Sequence, residues 1–151
     1  MKELIQLKKQ HEKERYPNVP EYALPSPKYT DTTSNGLTRM IIEYLRLKGW
    51  QCERINTTGR YLDNHKSFTD VIGRTKVIGS GKWIPSSGQV GSADISATIA
   101  GRSVKIEIKI GRDKQSKHQA EYQRQIEASG GIYLIARSFK DFKMWYYEVF
   151  G

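Results

Sequence analysis

Cysteine is nearly absent: Cys52 is the single one in 151 residues. One thiol cannot close an intramolecular disulfide, and with no Cys-x-x-Cys pair a cysteine-rich zinc site is excluded. A reducing, cytoplasmic setting is the matching expectation. Histidine is also scarce, and His11, His65 and His118 are scattered, which argues against a histidine-based centre. No secretory h-region and no apolar run of transmembrane length occurs, so no membrane association is expected. Four of the five prolines, Pro17, Pro20, Pro25 and Pro27, are confined to one short connector. No internal repeat is evident.

Acidic residues are outnumbered. Lys and Arg total 25 against 16 Asp and Glu, for a net charge of +9 and a pI near 9.6. That balance suits a polyanionic partner such as DNA. The excess is clustered, with six Lys/Arg against two Asp from Arg54 to Lys82, and seven against three acids from Arg102 to Arg124. A generally basic protein with no such partner is the plain alternative. Two local patterns carry no weight. Asn56-Thr57-Thr58 reads as a glycosylation sequon but lacks a secretory context, and Gly79-Ser80-Gly81-Lys82 fails the Walker pattern because Lys76 and Trp83 occupy two of its defining positions.

The length suits one domain with one core. Residues 1–34 read as a basic N-terminal arm and Pro-rich connector. A helix over 1–15 would not stand alone, and its docking on the body, on a partner subunit or on DNA is left open. Residues 35–151 read as the main domain. Its first helix spans Leu37 to Lys48, with Ser34 or Asn35 as cap, Gly49 as stop, and Leu37, Met40, Ile41, Tyr44 and Leu45 on the buried stripe. A strand follows near Trp50–Ile55. Residues 57–91 are rich in Gly, Ser/Thr and basic residues, and Arg74–Ile78 with Lys82–Ile84 suggests a small hairpin. Such an insertion is either a substrate-facing element, with Arg60, Lys66, Arg74, Lys76 and Lys82 on phosphates, or a mobile surface loop. A strand at Gly131–Ala136 is expected to lie parallel to the strand bearing Glu107. A last helix, Phe139–Val149, is capped by Ser138 and buries Phe142, Trp145 and Tyr146.

The chemistry concentrates between Gly91 and Gln123. Ala93–Ile99 and Val104–Ile110 both alternate with period two. Ile95, Ala97 and Ile99 share one face with Ile106, Ile108 and Ile110, which leaves Asp94, Glu107 and Lys109 on the other. A two-residue turn at Ala100-Gly101 pairs residues whose numbers sum to 201, so Asp94 lies across from Glu107. Cross-strand Cβ atoms are then roughly 5 Å apart. Two carboxylates at that spacing repel unless a cation lies between them. Hard oxygen donors suit Mg2+ or Mn2+, and a neighbouring lysine can orient water or neutralise charge on a phosphate. The plain alternative is an edge hairpin with a solvated charged face. A helix from Lys114 to Ser129 should follow, with Gln119, Tyr122, Gln123 and Ile126 on its inward stripe. Two amides there need partners, and a water or phosphate oxygen is one option. A solvated helix with marginal glutamines is the other.

Gly91-Ser92-Ala93-Asp94, then Glu107-Ile108-Lys109, then Gln119 resemble the G-x-x-D … E-x-K … Q signature of the VRR-NUC domains, within the PD-(D/E)xK nuclease superfamily. Arg54-x-Asn56-Thr57-x-Gly59 is similar to that family's R-x-N-T-G segment. The resemblance covers roughly residues 35–147 and implies a restriction-endonuclease-like αβββαβ core, an α/β fold with a mixed central sheet flanked by helices. It implies Asp94 and Glu107 as Mg2+ or Mn2+ ligands, Lys109 as the catalytic lysine and Gln119 as a supporting residue. Arg54, Asn56, Lys105, Arg112, Lys114 and Gln123 join the basic 57–91 segment as expected DNA contacts. One position departs from the pattern: the family's acid near the start of the first helix is replaced by Gly36, beside Asn35. Glu43 lies two turns away, roughly 10 Å along the axis. The expected function is a metal-dependent DNA endonuclease, as a homodimer cutting branched DNA in the manner of Holliday-junction resolvases. A flap or restriction-type endonuclease is the alternative among enzymes, and a non-catalytic DNA-binding module is the alternative outside them.

Overall fold

The computed structural model describes residues 1–56, 59–86 and 88–151. In chain order it has helix α1 (Lys2–Arg15), a 3-10 turn at Glu21–Ala23, helix α2 (Ser34–Leu47) and strand β1 (Gln51–Arg54). Strands β2 (Arg60–Asp63), β3 (Lys66–Thr69), β4 (Thr75–Ile78) and β5 (Gly81–Ile84) follow, then β6 (Ile95–Ile99) and β7 (Arg102–Ile108). Helix α3 (Lys117–Ala128), strand β8 (Ile132–Ala136) and helix α4 (Phe139–Phe150) complete the chain. Met1–Ile55 and Gly91–Gly151 form one compact unit, and Asn56–Val90 form a second.

The larger unit is a mixed α/β structure. Its sheet has the order β1-β6-β7-β8, antiparallel except for the last pair. The β6–β7 hairpin adopts the expected register: Ile95 faces Ile106 and Ser96 faces Lys105. Ala100 (φ 47°) and Gly101 (φ 78°) both take left-handed backbone, as a tight hairpin turn with native twist requires. Ile95, Ala97, Ile99, Val104, Ile106 and Ile108 enter the core. Helix α3 carries the chain back so that β8 runs parallel to β7, with Glu107 beside Ile135.

Helix α2 buries the five residues its periodicity marks, and Thr38 as well. It starts earlier than expected because Thr33, not Ser34 or Asn35, is the cap: Thr33 Oγ1 accepts from Gly36 N at 3.1 Å. The chain leaves the helix through Gly49 at φ +85°. Ser138 caps α4 as expected, and Phe139, Phe142 and Tyr146 are buried while Trp145 is half-buried. Helix α1 joins this core through Leu4, which is 0 % exposed. Glu3 fixes its orientation, accepting from Tyr44 and Tyr147 and pairing with Lys48 and Lys143. The amino-terminal segment therefore packs on the body of the protein.

The smaller unit contains two antiparallel ladders, β2 with β5 and β3 with β4. The strands expected near 74–78 and 82–84 exist, but they do not pair with each other. Asp70 Oδ1 accepts from Ile72 N and Arg74 N and turns the chain there, so β4 returns along β3. At Gly79 (φ +116°) a Cβ would lie 2.2 Å from Asn64 O, so the chain passes against the link between β2 and β3 and runs on into β5. Thr57, in the Arg54–Gly59 segment singled out above, lies outside the described residues. Among the described residues no helix is long and apolar enough to cross a membrane.

Candidate active site

Asp94 stands one residue before β6, in the position opposite Glu107. Two bonds hold this end of the hairpin: Asp94 O accepts from Ile55 N at 2.8 Å, and Asp94 Oδ2 accepts from Ile108 N at 2.9 Å. Glu107 and Lys109 are only 3 % and 6 % exposed, so the charged face of the hairpin is covered rather than solvated. The structure thus brings Asp94, Glu107, Lys109 and Gln119 together. Lys109 Nζ lies 3.1 Å from Glu107 Oε1 and 3.4 Å from Asp113 Oδ2.

Gln119 enters from the first turn of α3. Ser116 and Gln119 form a capping box: Gln119 N donates to Ser116 Oγ, and Ser116 N donates to Gln119 Oε1. That box starts α3 at Lys117 instead of Lys114. It also leaves Gln119 Nε2 free to donate to Glu107 Oε1 at 2.6 Å. Gln119, Tyr122, Gln123 and Ile126 do form the inward stripe. Gln123, however, is committed to its neighbours, accepting from Gln115 Nε2 and donating to Glu127 Oε1, both at 2.8 Å.

Glu107 is buried with an incomplete shell. Lys109 and Gln119 both approach Oε1, while Oε2 has no hydrogen-bond partner among the described residues. Burial and then the Asp94 charge raise its pKa, against the pull of Lys109. For Lys109, burial favours the neutral amine, but Glu107 and Asp113 outweigh it and raise the pKa. The ammonium is therefore retained at neutral pH. Asp94, Glu107 and the exposed Asp113 outnumber the single ammonium of Lys109 here. Hard oxygen donors, an orphaned carboxylate oxygen and that excess negative charge fit a divalent cation.

The remaining expected contacts lie elsewhere. Lys105 Nζ donates to Ser96 Oγ at 2.5 Å, one cross-strand pair along the same face. Arg54 donates to Asn35 Oδ1 at 2.8 Å. Arg112 and Lys114 are exposed on the loop between β7 and α3. Asn56, Arg60, Lys66, Arg74, Lys76 and Lys82 belong to the smaller unit. A cavity of about 550 Å³ runs along α2, lined in part by Lys8, His11, Arg39, Glu43 and Arg54, and none of Asp94, Glu107 or Lys109 lines it.

No third acid joins from α2. A Cβ on Gly36 would sit 2.2 Å from Thr30 O, so no side chain fits there without backbone movement. Glu43 is held by Lys8 at 3.0 Å and by the Tyr29 hydroxyl at 3.0 Å. Among the described residues no group of three or more His, Cys, Asp or Glu side chains gathers at one point.

Two neighbours escaped the sequence reading. Asp113 touches Lys109, and Arg137 holds its loop by approaching the Gly111 and Asp113 carbonyls. Tyr133 lies on β8 beside Lys105, on the face that carries Glu107. Its hydroxyl is buried with no hydrogen-bond partner among the described residues; Gln115 approaches it without reaching bonding geometry. Burial and the Glu107 charge push that hydroxyl up to about 12, so it remains a proton donor. The period-two pattern of 131–136, combined with the expected parallel register, was the available signal for Tyr133. Compared with known proteins, the chain matches no family model and no curated sequence.

Proposed function

We propose that the protein is a metal-dependent phosphodiester hydrolase acting on DNA, of the VRR-NUC kind within the PD-(D/E)xK nucleases. The observation that carries this reading is the unpartnered Glu107 Oε2, buried beside Asp94 while Lys109 and Gln119 occupy the other oxygen. A buried carboxylate oxygen without a donor is costly unless something else meets it. The order α2, β1, β6, β7, α3, β8 supports a restriction-endonuclease-like core.

Asp94 and Glu107 would hold Mg2+ or Mn2+, which supplies Lewis-acid polarisation of a phosphoryl oxygen and hydroxide at neutral pH. Lys109, kept protonated, donates to negative charge that develops on the phosphate and is not the base. Gln119 holds the Glu107 carboxylate in one rotation, leaving Oε2 as the free donor atom. Tyr133 offers a further donor, a hydroxyl, on the same face.

We extend the reading to branched DNA cut by a symmetric dimer, because the described residues of one chain carry one such constellation and paired cuts require two. A second reading, a DNA-binding module without catalysis, is favoured because, among the described residues, helix α2 contributes no acidic side chain to the site. One assay separates them: four-way junction, flap, splayed-arm and duplex DNA incubated with Mg2+, Mn2+ or EDTA. Paired junction cuts that need metal, together with a mass near twice 17.4 kDa in light scattering, are the expected result. Metal-dependent cutting of flaps by a monomer would replace the resolvase by a flap nuclease. Binding without cutting, under every metal, would establish the non-catalytic reading.

A further inference from the structure

The smaller unit presents two aromatic side chains in an unusual way. Tyr61 on β2 and Trp83 on β5 are directly paired across the ladder, and each is 58 % exposed. Directly opposed residues of an antiparallel pair share a face, and so do residues two apart on one strand. Gly59, Tyr61, Gly81 and Trp83 therefore lie on one face. A Cβ on Gly59 would lie 2.7 Å from the Trp83 ring, and one on Gly81 would lie 1.4 Å from the Tyr61 hydroxyl oxygen. Each ring leans diagonally over the glycine of the opposite strand. Neither glycine has a positive φ, so the backbone does not demand glycine at these positions. What they provide is room for the rings to lie down on the ribbon with their outer surfaces facing solvent.

The unit as a whole is basic, although Asp63, opposite Gly81, shares the rings' face and Arg60 and Lys82 alternate onto the other. Arg60, Lys66, Arg74, Lys76 and Lys82 are exposed, and none pairs with a carboxylate among the described residues. The unit's two acids are engaged in local structure. Asp63 accepts from His65 N and contacts the His65 ring, and Asp70 holds the turn at Ile72 and Arg74. Five Lys/Arg against two Asp leave the unit net positive, so a symmetric contact between two copies through it would set like charge against like, which repulsion opposes. Phosphates would satisfy the cations and nucleobases would cover the rings. Flat, exposed aromatics beside a basic groove are how proteins hold single strands without sequence preference.

We propose that Tyr61 and Trp83 form a stacking platform for unpaired nucleobases of a DNA strand whose phosphates are met by the unit's exposed lysines and arginines. The proposal rests on the nucleic-acid reading above and refines it, because it assigns the protein a preference for DNA with unpaired segments. Paired bases expose no ring face to such a platform.

The test is binding by the full-length protein in EDTA, so that it does not depend on cleavage. Trp83 is the exposed tryptophan; Trp50 and Trp145 are half-buried. Titration with a single-stranded oligothymidylate should quench tryptophan emission, and inorganic polyphosphate, a polyanion without bases, should not. Tyr61→Ala and Trp83→Ala should each weaken oligothymidylate binding about tenfold. Trp83→Phe should retain most of the affinity while abolishing the fluorescence change, and it decides the matter if the alanine variants fail to fold. Equal quenching by polyphosphate, or undiminished binding in Trp83→Ala with the fold intact, would overturn the platform. So would a dimer that becomes a monomer in Tyr61→Ala with oligonucleotide affinity unchanged, since the face would then join two copies. Failure of the platform and failure of the nuclease are separable: metal-dependent cutting without quenching removes only the platform, and quenching without cutting removes only the nuclease.

Discussion

Gln119 is bonded to Glu107 through Nε2 at 2.6 Å while its own Oε1 accepts from Ser116 N at 2.9 Å. One side chain thus starts helix α3 and orients the buried carboxylate. Ser116→Ala removes the hydroxyl cap and keeps the contact with Glu107, so it should lower stability by about 1 kcal/mol and leave cleavage nearly unchanged. Gln119→Ala removes both roles and should reduce cleavage by far more than Ser116→Ala does. Thermal melts and initial cleavage rates, measured side by side, check this; equal rate losses in the two variants would contradict it.

A divalent cation should stabilise the protein even without DNA. At ten times its Kd it contributes about 1.4 kcal/mol, or roughly 3–6 °C in Tm for a chain of this length. Asp94→Ala and Glu107→Ala should each abolish the shift, and Mn2+ should act at lower concentration than Mg2+. The pH dependence has a defined sign. Proton and metal compete for Glu107, and its pKa is raised above 4.5 by burial and Asp94. The metal-induced shift should therefore fade on acidification at a higher pH than an ordinary carboxylate would require. Differential scanning calorimetry with and without Mn2+ across that range measures it.

Glu3 is a separate pH-linked element. Burial pushes its pKa up, but Lys143, Tyr147, Lys48 and Tyr44 together bring it down from 4.5 to about 2. A carboxyl whose folded pKa is depressed stabilises the fold above its unfolded pKa. That stability is lost as pH falls from about 4.5 towards about 2. Glu3→Gln should therefore lower Tm clearly at pH 7 and much less near pH 2. An equal Tm deficit at both pH values would show that shape, not charge, is what Glu3 contributes.

The amino-terminal helix should behave as core. Leu4→Ala should cost about 2–5 kcal/mol, the range for emptying a fully buried leucine site. Chemical denaturation of the full chain gives the number, and a loss below 0.5 kcal/mol would mean that α1 is held by its ion pairs alone.

The local patterns were strong where one physical rule governed. Period-two alternation and a two-residue turn sufficed for the Asp94–Glu107 juxtaposition, because hairpin register follows from turn length. The buried stripe of α2 and the parallel placement of β8 were legible for similar reasons: helical period and crossover handedness are local or near-local constraints. Pairing within 60–84 was not. Its strands are short and mostly exposed, so no buried face set the partner, and Asp70 as a turn-forming residue decided the outcome.

By itself the amino-acid sequence determined which residues line up on which face: the isoleucines inward, Asp94, Glu107 and Lys109 together on the other side, Gln119 on the facing helix stripe. Only the tertiary structure decided that this charged face is covered, that Glu107 keeps one oxygen without a donor, and that Gly36 and Glu43 cannot complete the site. It alone brought Tyr133 and Asp113 to the cluster and sent Leu4 into the core. The physical reason is range. Strand and helix periods are properties of consecutive residues, whereas burial, orphaned hydrogen-bond groups and steric room are set by atoms brought near from distant parts of the chain.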